Sequence, residues 1–365
     1  MRTSRTLRPD PVRARSARTA AGAVLTATAL LAAGCGTTAD TAAEGGEGSG
    51  EVGVVLPMLT SPFWQAYNGY VPTMAEEEGV AALPTVNSNN DPAQQITDMN
   101  NLLNQGVSGL VVSPLDSAAI VAGLNQAERR GVPVVAVDVA PEEGTVAMIV
   151  RANNRAYGEE ACRYIGEQVG SGEVVQIQGD LSSVNGRERS DAFEECVAAD
   201  YPGIEVLNIP AEWQGDLAAS QLDGLLNAHP DVAAIYMQAG GVYLAPTLQT
   251  LRAKGMLHPA GEDDHIVIVS NDGIPQELEA IRDGEIDATV SQPADEYARW
   301  GMYYIRAAMA GETFEPGPTD HGSEIVELEN GLLEDQLPAP LVTADNVDDP
   351  ALWGNSSGAS AEPAE

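Results

Sequence analysis

The chain alternates short, wholly apolar runs with longer amphipathic stretches, and it does so twice in succession. Val52-Gly53-Val54-Val55-Leu56, Gly109-Leu110-Val111-Val112 and Val132–Val137 carry no polar side chain. A strand without a polar face has to be covered on both sides, as in a parallel sheet with helices on either face. Helical periods lie between these runs at 62–79, 92–105 and 116–130; Asp91-Pro92 opens the second and Gly106 closes it. With a further strand near Leu83–Val86, this makes four βα units in about 85 residues, the signature of a doubly wound sheet.

The pattern then restarts. Strands are expected at 173–178, Ile204–Ile209, Val232–Met237, His265–Val269 and Ile286–Ser291, with helices at 155–169, 187–200, 215–228, 242–255, 275–283 and 294–310. The fold class is α/β: two doubly wound parallel-sheet lobes joined by a three-strand hinge. Crossovers are expected near Ala147–Asn153, Gln292–Pro293 and Ser323–Glu327. Residues 51–152 plus 293–322 then form an N-terminal lobe, 153–292 plus 323–340 a C-terminal lobe, and 341–365 an extension and disordered tail.

The first 50 residues do not fit this pattern. Six arginines among residues 1–34 precede an apolar stretch from Thr19 to Gly34, which is a basic n-region and a short h-region of an export signal. The stretch ends Ala32-Ala33-Gly34-Cys35, which resembles a bacterial lipoprotein signal with Cys35 as the acylated residue. Residues 1–34 are therefore expected to be removed, and the Gly-rich segment 35–50 to act as a flexible tether. The protein is expected outside the cytoplasm, lipid-anchored to the outer face of the cell membrane. Two cysteines remain, Cys162 and Cys196, and an oxidising compartment favours a disulfide between them; two buried thiols are the alternative.

Charge excludes one class of partner. The chain carries −36 overall, and without its first 34 residues it has 12 basic against 53 acidic side chains, with Lys254 the only lysine. Nucleic acid needs compensating cations, so it is excluded as a partner.

Ligands of open α/β sheets sit beyond the carboxyl ends of the strands. The residues there are Ser61, Phe63, Trp64, Ser113, Asp138 and Asn154 in the first half, and Arg187, Trp213, Gln238, Asn271, Asp272 and Gln292 in the second. Each alone could be a cap or a turn residue. Together they are aromatic plates with amides, carboxylates and a guanidinium. That set suits a sugar, whose C–H face lies on a ring and whose hydroxyls need donors and acceptors.

The order of the motifs resembles the ribose-type periplasmic sugar-binding proteins of ABC transporters, the type I periplasmic binding protein fold. It runs through Ser-Pro-Phe-Trp at 61–64, Ser-Pro-Leu-Asp at 113–116, Val-Asp at 137–138 and Asn-Asn at 153–154. It continues through Asn-Gly-Arg-Glu-Arg at 185–189, Ala-His-Pro-Asp at 228–231, Asn-Asp-Gly-Ile-Pro at 271–275 and Ser-Gln-Pro at 291–293. The resemblance implies that Phe63 and Trp64 stack on one sugar face and Trp213 on the other. Asp138, Asn154, Arg187, Asp272 and Gln292 would bind hydroxyls. It further implies a monomer that closes around a monosaccharide or polyol and delivers it to an ABC transporter permease, with no cofactor and no metal. Val139, Ala239 and Asn271 depart from the ribose pattern, which implies another pentose, a deoxyhexose or a sugar alcohol.

Two other readings compete. A ligand-sensing lipoprotein for a sugar alcohol, nucleoside or furanosyl signal would share every feature above. A carbohydrate-active enzyme would need a carboxylate pair such as Asp138 and Asp272 set for hydrolysis. The four histidines, His229, His258, His265 and His321, show no metal-ligand spacing, and the body has no nucleophile elbow or phosphate loop.

Overall fold

The computed structural model of the chain describes residues 50–356. The signal peptide, Cys35, the tether up to residue 49 and the tail from 357 lie outside the described residues.

The first sheet begins with β1 (Glu51–Leu56), β2 (Ala81–Ala82), β3 (Val86–Asn87), β4 (Gly109–Val112), β5 (Val134–Val137) and β6 (Met148–Ala152), interleaved with α1 (Pro62–Glu77), α2 (Pro92–Gln105) and α3 (Val121–Arg129). Strand alternation explains the apolar runs. Val52, Val54 and Leu56 of β1 pack with α1, while Val55 packs on the other face against Met99, Leu102 and Leu103 of α2. The α2 boundaries follow its caps. Asp91 accepts from the backbone N–H groups of Ala93 (2.8 Å) and Gln94 (3.1 Å), and Gly106 adopts φ 89° at the other end. Helix α3 begins later than its periodicity predicts, because Asp116 folds 117–119 into a turn by accepting from Ala118 and Ala119 N–H.

The second lobe runs α4 (Asn154–Val169), β7 (Gly172–Gln178), α5 (Val184–Asp200), β8 (Ile204–Pro210), α6 (Gly215–Ala228), β9 (Ala234–Met237), α7 (Gly240–Lys254), β10 (Val267–Asp272), α8 (Pro275–Arg282) and β11 (Ala288–Ser291). The chain then returns through α9 (Ala294–Met309), which packs on α1 and on β4 to β6 of the first lobe. Cys162 of α4 and Cys196 of α5 are joined by a disulfide, with Cα atoms 6.2 Å apart.

The third crossover does not fall at 323–327. After β12 (Gly317–Pro318), both β13 (Glu324–Glu327) and β14 (Leu333–Leu337) stay in the first sheet, and β14 pairs parallel with β6, Glu334 opposite Ile149. Residues 323–337 thus belong to the N-terminal lobe, and the chain crosses at Pro338-Ala339-Pro340. Two prolines cannot donate to a ladder, so sheet pairing stops there. The extension is also folded as far as 356. β15 (Leu341–Thr343) adds antiparallel to β11, and α10 (Trp353–Ser356) closes the described chain. Sheet order is β12-β13-β14-β6-β5-β4-β1-β2, with β3 also on β1, and β15-β11-β10-β9-β7-β8. Among the described residues, no helix is long and apolar enough to cross a membrane.

Candidate functional site

A small cavity of about 60 Å³ lies between the carboxyl ends of the two sheets. A space of this size admits no oligomer. The N-terminal lobe contributes Met58 and Ser61 after β1, Phe63 and Trp64 at the start of α1, Ser113 and Leu115 after β4, and Asp138 and Val139 after β5. From the C-terminal lobe come Ser183, Asn185 and Arg189 on and before α5, Trp213 after β8, Ala239 after β9 and Asp272 at the end of β10; Gln292 reaches in from the second crossover.

Three lining residues hold non-glycine positive φ angles: Asp138 (64°), Trp213 (54°) and Asp272 (126°). Such conformations cost on the order of 1–3 kcal/mol each and persist only where the surroundings fix them. The surroundings do so for Asp272. Its Oδ1 accepts from Gln292 Nε2 at 2.7 Å and its Oδ2 from Gly241 N–H at 2.7 Å. Asp138 is held across the cleft, where Asn185 Nδ2 donates to its carbonyl (3.0 Å) and to its carboxylate (3.2 Å). Burial pushes both carboxyls up to about 6, against the pull of the Arg189 charge.

Arg189 is the only guanidinium lining the cavity, and each of its nitrogens is tied to a different element. Nε donates to Asn154 Oδ1 (2.6 Å), Nη1 to the Gln238 carbonyl (2.5 Å) and Nη2 to Gln292 Oε1 (3.0 Å). Its Cζ lies 4.9 Å from the Tyr157 ring centroid and 5.9 Å from that of Trp213. The Ser113 and Ser183 hydroxyl oxygens are buried at the cavity without a protein partner.

Eight of the sequence-predicted residues line this space: Ser61, Phe63, Trp64, Ser113, Asp138, Trp213, Asp272 and Gln292. Four do not. Arg187 points to the rim, where it pairs with Glu142 at 2.7 Å and donates to the Leu181 and Ser182 carbonyls. The reason is helical phase: Asn185 and Arg189 are one turn apart on a single face of α5, and Arg187 lies on the opposite side. Asn154 and Gln238 support Arg189 from behind. Gln238 also accepts from Gly179 N–H through its side chain. Asn271 donates to Tyr236 OH and the Gln238 carbonyl beneath the cavity. Asn185, Arg189 and Ser183 are polar wall residues not assigned from the sequence, although Arg189 stands at the same strand end as Arg187 and Asn185 shares its motif.

The aromatic arrangement also differs from expectation. The Phe63 and Trp64 rings stand 89° apart with centroids at 5.1 Å, so a flat ligand can lie on only one of them. Consecutive helical residues diverge by a large angle, which forbids a shared plane. Trp213 is stacked at 17° on Tyr243 and packs over Gly179, where a Cβ would come within 1.9 Å of its ring.

A cleft of this make-up between two such lobes has known counterparts. The periplasmic binding protein domain model matches residues 52–313. The chain belongs to the periplasmic binding protein family. This is a family of exported binding proteins, and the chain is a ribose-type member. The ribose import binding protein of Salmonella typhimurium is 28% identical over 262 residues, 72% of this chain and 85% of the relative. The xylitol-binding protein of Mycolicibacterium smegmatis is 27% identical over 332 residues, 90% of this chain and 85% of that one. Among solved structures, an ABC transporter solute binding protein from Mycobacterium smegmatis with bound glycerol superposes with a TM-score of 0.71. It is 24% identical and covers 82% of this chain and 96% of its own.

Proposed function

We propose that this periplasmic binding protein captures one monosaccharide or sugar alcohol between its lobes and delivers it to an ABC importer permease without chemical turnover. The observation that carries the reading is the cavity wall: Asp138 and Asp272 as acceptors, Arg189 as donor, and Ser113 and Ser183 as both, beside Phe63, Trp64 and Trp213. A buried hydroxyl left without a partner costs about 1–3 kcal/mol, so the match of these groups to the ligand's hydroxyls sets specificity. Val139 and Ala239 line the cavity where the ribose pattern has an arginine and an asparagine. With that cation and amide missing, the site suits another pentose, a deoxyhexose or a polyol better than ribose. The relative named for xylitol, matched along 90% of this chain, supports the polyol class. Cys35 acylation tethers the monomer to the outer face of the membrane. Binding carries no catalysis, because the two carboxylates are committed to fixed amide donors rather than to an acid and a base.

A thermal-shift screen over D-ribose, L-arabinose, D-xylose, L-fucose, xylitol, myo-inositol and nucleosides tests the reading, since a ligand that binds only the native state raises its melting point. One sugar or polyol is expected to give a clear shift and to come back from overnight incubation unchanged. A response confined to nucleosides, or conversion of the ligand, would falsify the reading. Mass spectrometry of the native N-terminus tests the acyl group.

A further inference from the structure

The C-terminal extension is held along one lobe and reaches the other through a single ring. Val342, Val347 and Leu352 belong to the hydrophobic core of the C-terminal lobe, whereas Trp353 belongs to the core that contains Phe63, Tyr67 and Tyr297. The segment is held to the C-terminal lobe at two places. β15 pairs with β11, and Arg282 donates to Asp348 (2.8 Å), to the Val347 carbonyl (3.0 Å) and to Asn355 (2.7 Å). Gly354 lies so close to the Gly273 carbonyl that a Cβ there would stand 2.3 Å from the oxygen.

This anchoring presents Trp353 to two residues of the cavity wall. Its indole N–H donates to the Asp272 carbonyl at 3.2 Å, next to the backbone angle that φ 126° marks as strained. Its ring meets Phe63 edge-to-face, at 5.8 Å and 83°. Asp272 belongs to the C-terminal lobe and Phe63 to the N-terminal lobe, so the contact with Phe63 exists only when the lobes are together. Trp353 is 3% exposed, too buried for an incidental surface contact.

We propose that the extension is a working part of the binding machinery: Trp353 positions Asp272 and latches onto Phe63, so that residues 341–356 set ligand affinity and the balance between open and closed lobes. The proposal rests on the reading of the cavity as a sugar site. Trp353 does not line the cavity, so it acts as a positioning residue.

Full-length Trp353→Ala, Trp353→Phe and Gly354→Ala are compared with wild type by titration calorimetry against D-ribose, L-arabinose, xylitol and myo-inositol. Melting temperature and ligand-free small-angle scattering are measured alongside. The Asp272 carbonyl also accepts from Gln292 N–H at 3.0 Å, so Trp353→Ala removes one of its two donors together with the ring contact, and binding is expected to weaken by about tenfold or more. Trp353→Phe keeps the ring and loses the N–H, so its loss should be smaller; Gly354→Ala should weaken binding with Trp353 intact. The ligand-free radius of gyration of Trp353→Ala should exceed that of wild type, a change that a purely stabilising residue would not produce. Affinity within twofold of wild type in both Trp353→Ala and Gly354→Ala overturns the proposal. If wild type itself binds none of the four, the sugar reading is judged by the wider screen above, and the latch is decided by scattering: an unchanged radius of gyration overturns it.

Discussion

Asn185 of the C-terminal lobe binds Asp138 of the N-terminal lobe twice, at 3.0 Å to the carbonyl and 3.2 Å to the carboxylate. Its amide oxygen meanwhile accepts from Arg151 Nη1 at 2.9 Å, and Arg151 is held by Glu334 at 2.6 Å and Glu188 at 2.9 Å. One side chain thus joins a cavity carboxylate to a buried ion network across the cleft. Asn185→Ala leaves three polar groups without this partner, each costing about 1–3 kcal/mol when buried. Calorimetry with the strongest binder of the screen should show affinity reduced by at least about tenfold. An unchanged constant would mean that the lobes close without this tie.

Arg189 and Arg187 sit two residues apart and should behave in opposite ways. A lysine at 189 offers one nitrogen where three separate partners are now served, and Arg189→Lys should abolish measurable binding. Arg187 is a half-buried rim residue whose pair with the exposed Glu142 is worth roughly 0–1 kcal/mol, so Arg187→Ala should stay within about threefold of wild type. Titration of both variants in parallel decides the matter, and the reverse ranking would return the role to Arg187.

This pair also marks how far the sequence can be read. The alternation of apolar runs and amphipathic stretches was legible because buried parallel strands need no polar residue. β14 was not, because Glu334 and Asp335 are fully buried within it and look like an acidic loop. Their partners Arg151, Tyr304 and His321 lie 183, 31 and 14 positions away and belong to other elements or loops. Strand ends pointed to eight wall residues, but helical phase was needed to choose Arg189 over Arg187. Trp353 left no local signal: its partners Phe63 and Asp272 are 290 and 81 positions away, and only the fold brings them together.

The Cys162–Cys196 bridge should matter for stability and not for binding. It joins α4 to α5 and closes a 34-residue span away from the cavity wall. Closing a loop of that length is worth about 2–4 kcal/mol. The double variant Cys162→Ala, Cys196→Ala should therefore melt about 5 °C or more below wild type, with ligand affinity within twofold. A large loss of affinity at an unchanged melting point would contradict a purely structural bridge.

Buried carboxyls give the protein a defined pH response. Burial raises Asp138 and Asp272 from 3.8 to about 6, and burial together with the nearby Asp272 raises Glu277 from 4.5 to about 8. The folded chain therefore holds protons that the unfolded chain has already released. Stability from these groups is fully present below about pH 4 and is lost as pH rises, through about 6 for the aspartates and about 8 for Glu277. Above pH 6 the aspartates lose their remaining protons, and the slope comes from Glu277 and from His265, whose burial is outweighed by its bonds to Asp287 and the His258 carbonyl, which raise it. Glu277 accepts from Gly273 and Ile274 N–H through one oxygen and from Thr289 through the other, an arrangement that a neutral amide can largely keep. Glu277→Gln should therefore lose less melting temperature than wild type between pH 6 and pH 8, and the two proteins should run parallel only below about pH 3.5, where Glu277 holds its proton in the folded and the unfolded chain alike. Parallel curves between pH 6 and pH 8 would place the proton uptake on another group.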